Sequence, residues 1–183
     1  MEKPSVFIIT GSQGAGKTTK VIEVIRYLKK ELPDVFGFYA IGKWESGWRS
    51  HFRIVDIQTG IDYQLCNRQQ SADTAGGRFV FTSKTVKLGE EIIASGMRRK
   101  GSLAVIDEIG RFELEEKVWF SAFHNLIKKN FPVLITVREN QLEAIIAKFS
   151  LNRPLIFKLN KESHLIARTI TVSCQAYFSA TKH

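Results

Sequence analysis

Short runs of consecutive apolar residues alternate along this chain with segments whose apolar residues return every three or four positions. Residues 6–10 form one such run and read as a buried strand. After it Val21, Ile22, Val24, Ile25 and Leu28 recur at helical spacing, and Pro33 marks the stop. Residues 35–41 and 52–57 are strand-like and flank Glu45-Ser46-Gly47, whose turn chemistry predicts a hairpin excursion over residues 42–57. A further short strand at 79–82 precedes a helical stretch around Leu88, Ile92 and Ile93. The run 103–106 ends in Asp107-Glu108, after which Val118, Trp119, Ala122, Phe123, Leu126 and Ile127 mark one helix face. A strand at 133–137 follows, then the stripe Leu142, Ile145, Ile146 and Phe149, a strand at 155–159 and a C-terminal helix. Near-continuous apolar strands separated by amphipathic helices are the signature of an α/β fold, a mostly parallel sheet covered on both faces. No repeat, low-complexity tract or long linker divides the chain, so residues 1–183 read as a single domain.

Charge alters the picture in one respect. The 27 Lys+Arg against 18 Asp+Glu give a net charge of +9, which suits an anionic partner. Residues 148–183 carry Lys148, Arg153, Lys158, Lys161, Arg168 and Lys182 against Glu162 alone, and Arg98, Arg99 and Lys100 form a second basic knot. No aromatic residues interleave with these clusters as a single-strand stacking platform requires, so nucleic acid stays open as a partner beside plain solvated faces. The two cysteines, Cys66 and Cys174, are too few for a disulfide scaffold and lack metal-ligand spacing. No apolar run near the start is long enough for a signal peptide or membrane span. A cytoplasmic monomer without membrane contact is expected.

The chemistry starts at residue 11. Gly11, Ser12, Gln13, Gly14, Ala15, Gly16, Lys17 and Thr18 complete the pattern G-x-x-x-x-G-K-[ST] between a strand and a helix. The glycines allow a backbone path that turns several N–H groups around a phosphate chain, and the following helix adds the positive end of its dipole. Lys17 is expected on the β- and γ-phosphates and the Thr18 hydroxyl on Mg²⁺, with Thr19 completing the nucleotide-binding set. Asp107, at the C-terminal end of an apolar strand, is suited to hold the same Mg²⁺ opposite Thr18, and Glu108 to polarise a water as general base. The spacing between the glycine-rich loop and these acids leaves room for another strand, an arrangement associated with water-activating ATPases rather than simple kinases.

From these motifs outward the chain resembles the small P-loop nucleoside-triphosphatase family described from thermophiles, with animal relatives called cancer-related nucleoside-triphosphatases. Residues 107–114, Asp-Glu-Ile-Gly-Arg-Phe-Glu-Leu, are similar to that family's D-E-I-G-K-M-E-L signature, Gly37-Phe38-Tyr39 to its G-F-Y and Gly77-Arg78-Phe79 to its G-K-Y. The resemblance implies a RecA-like three-layer P-loop fold and Mg²⁺-dependent hydrolysis of nucleoside triphosphates, in some members also of diphosphates. The chain departs from the family's pattern at Ala40, Gly42, Trp44 and His51, where Thr, Glu, Arg and Gly are usual, and keeps Gly47, Arg49 and Phe52. Ser163-His164 stand where an Asn-Arg pair is usual. These changes bear on nucleotide preference and leave the phosphate and metal residues intact.

Secondary candidates each have a plainer reading. Arg111, at the position of the family's Lys, is a catalytic candidate that would offset charge on the γ-phosphoryl group, or else an ion-pair partner of Glu113, Glu115 or Glu116. Thr136 and Arg138, at a strand end, are candidates to sense the γ-phosphate or are simply solvated. Arg49 is a candidate phosphate or base contact, and Trp44 and Trp48 stack on a base or pack the hairpin. Asn160-Lys161-Glu162-Ser163 is similar to a guanine-reading N-K-x-D with Ser in place of the Asp that would hold guanine. His51, His124, His164 and His183 have no metal spacing. Two other activities compete with hydrolysis: a nucleoside or nucleotide kinase, with the Arg98-Arg99-Lys100 knot as its only candidate lid, and a nucleotide-gated nucleic-acid-binding module.

Overall fold

The computed structural model describes residues 5–45, 48–71 and 74–180, with backbone alone at 43–45, 48–50, 67–71 and 74–79. In chain order the elements are β1 (Val6–Gly11), α1 (Lys17–Glu31), β2 (Asp34–Glu45), β3 (Trp48–Asp56), β4 (Asp62–Ser71), β5 (Thr74–Phe81) and α2 (Ser83–Gly96). Then come β6 (Ser102–Ile106), α3 (Arg111–Leu114), α4 (Phe120–Lys128) and β7 (Val133–Arg138). A 3-10 turn (Glu139–Gln141), α5 (Leu142–Lys148), β8 (Leu155–Lys158) and α6 (Ser163–Ala180) complete the chain. One eight-stranded sheet runs in the order β5-β4-β3-β2-β6-β7-β1-β8. The pairings β2·β6, β6·β7, β7·β1 and β1·β8 are parallel, and the β2·β3, β3·β4 and β4·β5 pairings are antiparallel. The strand for which the spacing left room is β7, which lies between β1 and β6.

The strict alternation of a strand sorts the central side chains into two cores. Val6 and Ile8 of β1, with Ala104 and Ile106 of β6, face Ile93, Trp119, Phe123, Leu126 and Ile145 on one side. Phe7 and Ile9, with Leu103 and Val105, face Val21, Val24, Leu28, Ile166 and Ile170 on the other. Helices α1 and α6 therefore cover one face and α2, α4 and α5 the other, which makes the three layers. Among the described residues no helix is long and apolar enough to cross a membrane.

The predicted hairpin is the start of something larger. Pairing between β2 and β3 begins at Phe38↔Asp56 and reaches Glu45↔Trp48, with Ser46 and Gly47 of the expected turn outside the described residues. It continues outward through β4 and β5, so the excursion widens the sheet by three strands. Strand β4 has no apolar signature because beyond Leu65 and Cys66 it reads Asn67-Arg68-Gln69-Gln70, and backbone pairing to two neighbours defines it instead. Helix α4 begins at Phe120 rather than at the predicted Val118, whose φ of 52° is left-handed and breaks the helical path.

Candidate active site

The loop leaving β1 turns through Gly14 at φ 76° and Gly16 at φ 97°, a region where a Cβ is strained and glycine is not. Gly16 caps α1 without a side chain, so the first N–H groups of the helix stay directed at the loop's concavity. Ser12, Gln13, Gly14, Ala15, Gly16 and Thr19 are exposed, whereas Lys17 is 6% exposed and folds back over the loop. Its Nζ donates to Gly11 O at 3.1 Å and Ser12 O at 3.0 Å. These contacts hold the ammonium over the curve of the loop, where a phosphate oxygen would meet it.

The other half of the site comes from the tips of β6 and β7. Asp107 is 1% exposed and accepts three hydrogen bonds. Thr18 Oγ1 donates to Oδ2 at 2.9 Å, the Ala40 amide to the same oxygen at 3.1 Å, and Thr136 Oγ1 to Oδ1. Burial still pushes its carboxyl above the usual range against these donors, with Glu108 adding repulsion. A carboxylate so placed is short of positive charge. Glu108 has some: Arg138 Nε donates to its Oε1 at 2.7 Å, and Lys17 Nζ stands 3.9 Å from Oε2. Arg138 Nη1 donates in turn to Gln13 Oε1 at 3.1 Å, closing a chain from loop to acid. The Asp107–Glu108 peptide is cis. Because β7 intervenes, β1 and β6 are about 10 Å apart at this site. A cleft of about 410 Å³, lined by Ser12, Gln13, Arg138, Glu139 and Asn140, opens beside it.

The structure thus brings Lys17, Thr18, Asp107, Glu108, Thr136 and Arg138 together and leaves Arg111 out. The Arg111 side chain is 76% exposed and pairs with Glu115 at 2.8 Å, because the first turn of α3 carries it outward to an i+4 partner. The guanidinium beside Glu108 is that of Arg138. Glu113, by contrast, is buried and holds the loop after the acids, accepting from Gly110 N at 2.8 Å and Trp119 N at 3.1 Å. Burial pushes its carboxyl up to about 7. The Ala40 amide, the Gln13–Arg138 contact and the role of Glu113 have no local signal in the sequence. They depend on which strands become neighbours.

The remaining candidates have structural partners or fall outside the description. Ser163 Oγ donates to Glu23 Oε2 at 2.6 Å and Lys20 Nζ to Lys161 O at 3.2 Å, so the 160–163 segment braces α1. The side chains of Trp44, Trp48, Arg49 and Arg78 lie outside the described residues, as does His183. His164 is 3.2 Å from Glu162, and His124 stacks on Phe120. Cys66 and Cys174 are free and buried, and burial pushes their thiols up to about 11 and about 12, away from any nucleophilic role. Arg99 pairs with Asp34 at 2.7 Å, at the start of β2 and hence at the end of the sheet opposite the acids. A lid for a phosphoryl acceptor is not available there. In the basic C-terminal segment Lys148 pairs with Glu116 and Lys161 lies over the Phe157 ring, while Arg153, Lys158 and Arg168 are exposed.

Comparison with known proteins gives one consistent picture. A sequence model of a family described as NTPase matches residues 6–169. The nucleoside-triphosphatase THEP1 of Methanopyrus kandleri is 28% identical over 151 residues, which is 82% of this chain and 83% of that protein. The protein of the same name from Saccharolobus solfataricus is 31% identical over 133 residues, 73% of this chain and 75% of its own length. The solution structure of a human cancer-related nucleoside triphosphatase superposes with a TM-score of 0.66 at 23% identity, covering 91% of this chain and 96% of that one.

Proposed function

The chain belongs to the NTPase family whose pattern spans residues 6–169 and is an α/β P-loop nucleoside-triphosphatase; from that premise we propose that it hydrolyses nucleoside triphosphates, ATP and GTP among them, with Mg²⁺ and a water activated by Glu108. The observation that carries the reading is a contact across 89 positions of sequence, Thr18 Oγ1 to Asp107 Oδ2 at 2.9 Å, with Glu108 and Lys17 beside it. The phosphate loop, through Thr18 and Lys17, and the paired acids are in direct contact.

The residues present fit Mg²⁺. Thr18 and Asp107 would hold it with hard oxygens, and among the described residues the buried Asp107 has no salt-bridge partner of its own. When bound, the cation neutralises charge on the β- and γ-phosphate oxygens. The protein does the rest. Loop amides and Lys17 hold the triphosphate, and Glu108 takes a proton from water as the water oxygen bonds to the γ-phosphorus. The bond from that phosphorus to the β–γ bridging oxygen breaks, leaving diphosphate and inorganic phosphate. Lys17 and Arg138, rather than Arg111, offset the negative charge that develops.

The test is phosphate release across a panel of nucleoside triphosphates and diphosphates, with Mg²⁺ and with chelator, for the natural chain and Glu108→Gln. The variant is expected to lose roughly a hundredfold in rate while nucleotide affinity stays within about threefold. Equal rates for the two proteins would remove Glu108 from the mechanism, and release that persists in chelator would remove the metal.

A further inference from the structure

We propose that Glu113 is a positioning residue for Glu108: by pinning the main chain just beyond the acids, its carboxylate aims the Glu108 side chain at the attacking water. The inference rests on the hydrolytic reading above and adds to it a group that touches neither nucleotide nor water. The main chain around the acids is tied at three amides, each to a different element. Asp107 N donates to Phe38 O of β2 at 3.2 Å, Ile109 N to Thr136 O of β7 at 2.9 Å and Gly110 N to Glu113 Oε2 at 2.8 Å. The first two acceptors are carbonyls of neighbouring strands, which the sheet fixes whatever the side chain. The third belongs to a side chain, and it acts two residues from Glu108, where the chain has left β6 and turns into α3.

The plainer reading is a helix cap, since Glu113 is the third residue of α3 and reaches back to the amide of Gly110 at its start. Two observations go past it. A capping carboxylate needs only the helix end, whereas the other oxygen of Glu113 accepts from Trp119 N at 3.1 Å, outside α3. Glu113 is also 2% exposed, and taking a carboxylate out of water to cap a single turn costs more than the capped amide returns. What the second contact reaches supplies the reason. The Trp119 ring lies 4.5 Å from that of Phe38, and Phe38 O is the acceptor for Asp107 N. Contacts therefore run from Asp107 to Phe38, on to Trp119, to Glu113 and back to Gly110, a closed circuit around Glu108 whose last link is the Glu113 carboxylate. Arg138 holds the far end of the Glu108 side chain at 2.7 Å, and this circuit sets where that side chain starts. A general base works only within hydrogen-bond reach of its proton, so a small shift of its root lowers the rate without touching the phosphate loop.

Glu113→Gln keeps the shape of the side chain but has one accepting oxygen, so its NH₂ group faces one of the two N–H donors. Glu113→Asp keeps both oxygens on a stem too short to serve both amides. At pH 8, single-turnover phosphate release with Mg²⁺-ATP and affinity for a non-hydrolysable ATP analogue are measured for each. The same is done for Glu108→Gln and for Glu108→Gln combined with Glu113→Gln. Glu113→Gln is expected to slow release roughly tenfold, with analogue affinity within about threefold. In the double variant the second change is expected to cost less than about twofold, because the group it misplaces no longer takes the proton. A merely structural role makes the two losses multiply, and that result would overturn the inference. Full-rate release by Glu113→Gln beside a crippled Glu108→Gln would overturn it and leave the hydrolytic reading standing, as would a loss matched by weaker analogue binding. A natural chain that releases no phosphate overturns both. Thermal unfolding reports which variants fold. Where Glu113→Gln does not, Glu113→Asp decides by the same rate and affinity, and failure of both to fold assigns Glu113 to the fold alone and overturns the inference.

Discussion

A guanidinium assists phosphoryl transfer only where it reaches the reacting oxygens, and two arginines in this chain separate cleanly on that criterion. Arg111 follows the acids in sequence yet points into solvent with Glu115, while Arg138 arrives from another strand and bonds Glu108 at 2.7 Å. Arg111→Ala is expected to leave the rate of phosphate release within about twofold, and Arg138→Ala to lower it tenfold or more, in steady-state assays at saturating nucleotide. A larger loss at Arg111 than at Arg138 would reverse the assignment. The same contrast marks what a reader of the sequence can know. The glycine-rich loop and the Asp107-Glu108 strand end were legible because each is a local pattern with a chemical reason. The identity of the neighbouring cation was not, since adjacency along the chain favoured Arg111 and only strand order brings Arg138 to the site. Glu113 sits in sequence among Glu115 and Glu116, and nothing local distinguishes the buried carboxylate from its exposed neighbours.

At the level of elements, α2 lies close against the sheet because its buried positions are small. Thr85, Gly89, Ile93 and Gly96 face inward, and a Cβ on Gly89 would stand 2.4 Å from the Trp119 ring. The expected apolar face around Leu88 and Ile92 is only partly buried, because glycine contributes no hydrophobic signal while permitting the nearest approach. Gly89→Ala is expected to cost about 1–3 kcal/mol by overpacking, read as a lower midpoint in urea unfolding at unchanged slope. The Trp119 ring that it would push also packs on Phe38, and its amide bonds Glu113, so loss of phosphate release is expected to accompany the loss of stability. Strand β4 was hidden for a related reason: its polar residues carry no pattern, and its existence is a consequence of pairing on both sides.

For the whole molecule, the buried acids make stability depend on pH. Glu113 has its carboxyl raised from 4.5 to about 7, so between those values the folded chain keeps a proton that the unfolded chain has lost. Stability therefore falls as pH rises through that window and is lowest above it. The size is on the order of 3 kcal/mol for this group. Asp107, raised by burial as well, acts in the same direction. Urea unfolding of the nucleotide-free protein at pH 5 and pH 8 is expected to show the decline, and Glu113→Gln to flatten the part that Glu113 supplies. An identical decline in the variant would assign it elsewhere. The architecture itself was largely legible, because an unbroken apolar run in each central strand supplies both cores at once. In the antiparallel half the strand at 52–57 and the end of β5 were read and β4 was not.

Among the described residues that half reaches the Asp107 carboxylate through one bond, from the main chain at residue 40. The donor is a peptide group, which every amino acid except proline provides. Position 40 is thus free to drift in side chain without loosening the acid it supports. Selection at that point acts on the path of the backbone and is blind to the letter, so a comparison of sequences alone would pass over one of the anchors of the site.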